Sequence, residues 1–200
     1  MLQSANNALG TACVAAFTSA ARIKMFFICA FESLGIAMAT YCGQNYGAGK
    51  PERAKKSLAA GLLFAVAASS LFWLWAQLSP QTMIGLFSSD PAIIEAGIPF
   101  FRTCSYDYLA VSFVFCMNGY LNGRSQTIFT MISCCFGALA LRIPIIHLVY
   151  TNWPDNLARI GAIAPMVSGF MAVYTAAYLC IQFYQEKQRI PDASGQRGMK

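Results

Sequence analysis

Five long apolar stretches divided by short polar loops constrain this chain more than any other feature. A bilayer core takes roughly 20 apolar residues as helix, and the chain offers such runs at about residues 11–42, 57–78, 98–121, 127–150 and 160–184. The two-residue alternation of a lipid-facing barrel strand is missing from them, so they read as helices, which satisfy their own backbone groups in lipid. Composition carries the same message. Charged residues are 11% of the 200 and the set AVILMFWYC is 57%, whereas an average soluble domain is roughly 25% charged. A globule of this size has too high a surface-to-volume ratio to hide that much apolar surface from water. A soluble enzyme, a disordered chain and a nucleic-acid-binding domain are thereby excluded, leaving an all-α polytopic membrane protein of about five spans.

The net charge of +6 follows the loops rather than any nucleic-acid patch. Lys50, Arg53, Lys55 and Lys56 fall in the loop after the first run, Arg124 before the fourth, and Lys187, Arg189, Arg197 and Lys200 in the tail. The two intervening loops hold Arg159 alone. Basic residues mark cytoplasmic loops, so the expectation is a multi-pass protein of the cell membrane with its C-terminus and a polar tail, residues 186–200, in the cytoplasm. Five spans ending inside begin outside, and Met1–Gly10 reads as the end of a preceding element turning into the bundle of residues 11–185. The eight cysteines lie in or beside apolar runs, as small packing residues do, and not in loops as a disulfide framework would. With one histidine, no structural metal site is expected.

Polar residues inside the runs carry the functional information. Asp107 lies deep in the third run, where an acid costs roughly 2.5–3.5 kcal/mol to insert and therefore faces protein or a water-filled cavity. At about 100° per residue its face includes Cys104, Val111, Val114, Asn118 and Asn122, with Phe115 at the edge. Such a stripe suits a cavity for a proton or an organic cation; the alternative is a structural ion pair with a base such as Arg102. Glu32 in the first run has no partner at i±4 and is either a second proton or cation ligand or a solvated residue near the interface. Arg22, Lys24 and Arg142 read as snorkelling or packing charges, and His147 as a polar packing residue. Pro144 should kink the fourth run and free a carbonyl beside a cavity.

No catalytic signature accompanies them. The segment Gly43–Lys50 is glycine-rich, but Gln44 stands where a phosphate loop needs its first glycine and Pro51 where it needs Ser or Thr. Nucleophile-elbow and zinc-protease motifs are lacking, so the chain is not read as an enzyme.

GIAMATYCGQNYGAGKPERAKKS (Gly35–Ser57) resembles the end of the second helix of a six-helix half in the multidrug and toxic compound extrusion (MATE) family. ALGTACVAAFTSAARI (Ala8–Ile23), LFSSDPAIIEAG (Leu86–Gly97), NGYLNGRSQT (Asn118–Thr127) and LRIPI (Leu141–Ile145) follow the order of that family's C-terminal half. The resemblance implies a secondary antiporter in which inward Na⁺ or H⁺ drives export of amphipathic, often cationic, drugs, with no other cofactor. It also implies two six-helix lobes, of which this chain holds helices eight to twelve, its N-terminal lobe being the missing partner. Some members bind a coupling cation with acids on helices seven and ten, and Asp107 lies on the helix similar to ten; Glu32 stands where others often have Pro. The competing expectations are a lipid-linked oligosaccharide flippase of the same plan, marked by a more basic cavity, and a non-transporting remnant.

Overall fold

The computed structural model describes residues 11–86, 90–152 and 157–195, which form helices and no strand. The expected preceding element at Met1–Gly10 and the last residues of the tail lie outside the described residues. In chain order the helices are α1 (Thr11–Gly47), α2 (Pro51–Leu78), a short α3 (Pro80–Gly85), α4 (Pro91–Cys104), α5 (Tyr106–Gly123), α6 (Thr127–Cys135), a π-helical segment (Phe136–Arg142), α7 (Ile143–Asn152) and α8 (Leu157–Gly195).

The local grammar of the loops explains most of these boundaries. The GQNYGAGK run is a helix stop. Gly49 adopts φ 69°, Lys50 N–H donates to the Asn45 carbonyl (2.8 Å) and Gly49 N–H to the Tyr46 carbonyl (3.0 Å), the paired bonds of a Schellman cap. Pro51 and Glu52 then open α2, the ring costing no hydrogen bond at that position and the acid meeting the positive helix end. At Asp90-Pro91 the Ile94 N–H donates to the Asp90 carbonyl (3.1 Å), and α4 begins. A second Schellman cap ends α5: Gln126 N–H reaches the Leu121 carbonyl and Ser125 N–H the Asn122 carbonyl, both at 3.0 Å. Here Ser125, at φ 62°, occupies the left-handed position that glycine usually takes.

Among the described residues four helical stretches are long and apolar enough to cross a membrane: Ala21–Gly47, Pro51–Leu78, Thr127–Val149 and Gly161–Gln188. The stretch expected at 98–121 differs. It breaks at Ser105, where the freed Arg102 carbonyl accepts from the Ser105 hydroxyl (2.7 Å) and from Gln77 Nε2 (3.0 Å). The resulting α5 carries Asp107, Asn118 and Asn122 because it lies inside the bundle, packed on α1, α2 and α8, and its side chains need not face lipid. The helices around it leave Leu63, Phe64, Leu71, Ile128 and Val173 exposed, a pattern suited to lipid and unsuited to water. The fourth run is helical throughout, but the seven residues Phe136–Arg142, ending two positions before Pro144, widen into the π segment; a proline that cannot donate to the preceding turn favours such a shift. Residues 186–195, expected as tail, continue α8.

Small residues set the α1–α5 register. A Cβ added at Gly119 would overlap the Gly35 carbonyl oxygen, and one at Gly123 would stand 2.8 Å from the Ala39 carbonyl oxygen. Two helices with small residues at i and i+4 approach closely in this way. The same sequence spacing separates Gly35 from Gly119 and Ala39 from Gly123, so the helices run parallel. Beyond the glycines, the Tyr46 and Tyr120 hydroxyls meet at 2.8 Å. Arg124 lies over both rings and near Glu186 (3.8 Å), which also pairs with Lys55 (3.4 Å). The basic loops that the charge map placed on one side therefore converge at one end of the bundle.

Candidate functional site

The close approach of α1 and α5 leaves a groove beside the glycine contact, and α6 forms the far wall of an open cavity of about 590 Å³. Glu32, Ile36 and Thr40 line it from α1, Phe115, Asn118 and Asn122 from α5, and Thr130 and Met131 from α6. Four of the residues singled out in the sequence, Glu32, Phe115, Asn118 and Asn122, are thus brought to one place. Glu32 is exposed and brings the cavity its one carboxylate. Thr130 donates to Asn122 Oδ1 at 2.6 Å, orienting that amide. Asn118 Oδ1 is buried with no hydrogen-bond partner among the described residues, an unsatisfied acceptor at the cavity wall. The chemistry on offer is one negative charge, amide oxygens, a hydroxyl and an aromatic edge, in an otherwise apolar chamber.

Asp107 stands elsewhere. It shares a helical face with Asn118, but eleven residues at about 1.5 Å each separate them. It is 2% exposed, and its Oδ2 lies 2.5 Å from Lys24 Nζ on α1. The ion pair is therefore with Lys24 and not with Arg102, which is exposed. Register explains the choice, because the spacing that joins Gly35 to Gly119 brings Lys24 level with Asp107. Asp107 Oδ1 is buried without a partner among the described residues. Lys24 also lines a second cavity of about 300 Å³, together with Met25, Phe100, Cys104, Arg142 and Ile163. Pro144 is exposed and lines neither cavity; the residue that the widened helix delivers to the second one is Arg142.

Sequence reasoning thus treated Lys24 and Arg142 as incidental charges and passed over Thr130. The available signal was an opposite charge on another run at the level that the glycine spacing predicts. Among the described residues no cluster of three or more His, Cys, Asp or Glu side chains is placed to hold a metal ion, and the seven described cysteines are free thiols.

The MatE family model matches residues 4–148. A protein of Shewanella oneidensis called a FAD transporter is 27% identical over 173 residues, covering 84% of this chain and 37% of its own length. The chain thus spans 37% of that relative.

Proposed function

This chain belongs to the MatE family of membrane transporters, and on that premise we propose that it forms part of a cation-coupled antiporter that exports amphipathic small molecules. The convergence of Glu32, Phe115, Asn118 and Asn122 on one cavity carries the proposal. An antiporter needs a site whose affinity for cargo falls when the coupling ion binds. Glu32 meets that need because its carboxylate takes either the positive charge of a cargo or Na⁺ or H⁺, and not both. Asn118 Oδ1 supplies an unclaimed acceptor beside it, Asn122 a second amide, and Phe115 an apolar surface for a flat ring. Asp107 is the second acid of the mechanism, with Lys24 in the place of the coupling ion; Na⁺ or H⁺ acts there by displacing the ammonium. On this proposal the cavity faces an N-terminal lobe in the complete transporter, at the cell membrane.

The relative's name brings a second cargo to test, FAD, which is aromatic and amphipathic but anionic. The experiment is transport by the full-length protein in proteoliposomes, with a fluorescent organic cation or FAD as cargo and the Na⁺ and pH gradients imposed separately. Cation-driven export that is lost in Glu32→Gln and in Asp107→Asn, with insertion retained, is expected. Unchanged coupled export in Glu32→Gln refutes the assignment of the cavity. Export of FAD with none of the organic cation replaces the cationic cargo class.

A further inference from the structure

The smaller cavity does not serve a cationic cargo. Two basic groups face it, Lys24 from α1 and Arg142 from the π segment; its remaining wall is apolar or uncharged, with Phe100 and Cys104 from α4 and Ile163 from α8. The nearest carboxylate, Asp107, is already held by Lys24. No carboxylate lies within ion-pair distance of Arg142 among the described residues. The cavity thus carries about one positive charge in excess, on the exposed Arg142, beside a wall that is otherwise apolar or uncharged. Its depth is specific as well. Lys24 lies 23 residues, about 35 Å of helix, before the Gly47 end of α1, and Arg142 lies two turns from the end of Thr127–Val149. Both place the cavity toward the end of the bundle opposite the Schellman turns.

We propose that this cavity is a binding site for a phosphate group, with the Arg142 guanidinium and the Lys24 ammonium as its ligands and Asp107 as the internal counter-ion that competes for Lys24. A guanidinium fork and a mobile ammonium are the side-chain pair best suited to phosphate oxygens. The volume of about 300 Å³ exceeds what a halide needs and admits a headgroup. At this depth the phosphate belongs either to an anionic lipid or to a soluble phosphate compound. The site is separate from the Glu32 cavity and does not depend on the cargo assignment, although it shares Lys24 and Asp107 with the proposed coupling step.

The test uses the full-length protein, purified and delipidated in uncharged detergent. Inorganic pyrophosphate is titrated by calorimetry, and phosphatidylglycerol retained from mixed phosphatidylglycerol–phosphatidylcholine vesicles is counted by native mass spectrometry. Saturable binding of either probe, weakened about tenfold or more in Arg142→Gln, is expected, since one charged hydrogen bond is lost; which probe binds identifies the source. Arg142 is exposed, so this variant should fold. Asp107→Asn releases Lys24 and should tighten binding several-fold, an effect that a merely structural ion pair does not produce. Neither probe binding, or binding indifferent to both substitutions, overturns the proposal. Organic-cation export measured on the same preparations separates the two readings: export without phosphate binding removes only this site, and phosphate binding without export removes only the antiporter.

Discussion

Breaking the Lys24–Asp107 pair is the most informative perturbation of this fold, because the two partners differ in what they leave behind. Lys24→Met strands a carboxylate that is 2% exposed and whose Oδ1 is already unpartnered. Removing one member of a buried pair is worth about 3–5 kcal/mol, and this side of the cycle should show the full effect. Asp107→Leu strands an ammonium whose side chain is 17% exposed and borders a cavity, so reorientation of this partly exposed lysine should limit the loss to about 1–3 kcal/mol. The double variant leaves neither charge and fills a similar volume; replacements of that kind are often near neutral. The expected coupling is therefore large, with the double variant within about 1 kcal/mol of the parent. Equilibrium unfolding of the full-length protein in mixed micelles, driven by added dodecyl sulfate and followed by tryptophan fluorescence, measures all four corners. A double variant as unstable as Lys24→Met, or two single variants of equal cost, would refute the asymmetry and with it the placement of Asp107 in the sealed interior.

Three other outcomes follow from packing and caps. Gly119→Ala puts a methyl group into the Gly35 carbonyl and should cost about 1–3 kcal/mol as overpacking, read in the same unfolding assay; a neutral result would mean that α1 and α5 do not touch there. Ser125→Gly relieves a left-handed serine and should stabilise by about 1 kcal/mol, and a loss of stability would show that the cap differs. Arg124→Met removes the cation over Tyr46 and Tyr120 and the partner of Glu186. A cost of about 2 kcal/mol is expected, detectable as earlier proteolysis of α8, with no change pointing to a cluster that contributes nothing.

Much of the architecture was legible because it depends on local chemistry. Runs of apolar residues and the basic loops between them are short-range features and need no partner to be read. The helix around Pro144 was legible only in part: a missing N–H announces a disturbance there, but whether it becomes a kink or a π turn depends on neighbouring helices. The stripe on α5 was read as a single face, and its lower part, Phe115, Asn118 and Asn122, does line one cavity with Glu32. Its upper part does not, because helical periodicity gives direction and not depth, and Asp107 lies too far along the axis to join them.

By itself, then, the amino-acid sequence determined the solvent, the helical class, the end at which the basic loops gather and four of the residues that line one cavity, since each follows from hydropathy, charge and helical periodicity. The tertiary structure decided that the helix carrying Asp107 is the shielded one, that Lys24 is its partner, and that Arg142 faces a separate basic cavity. Those facts rest on the register between α1 and α5, which the contacts of Gly35, Ala39, Gly119 and Gly123 impose across a wide separation in the chain. A pairing of that kind is a property of two helices in contact, and no single helix contains it.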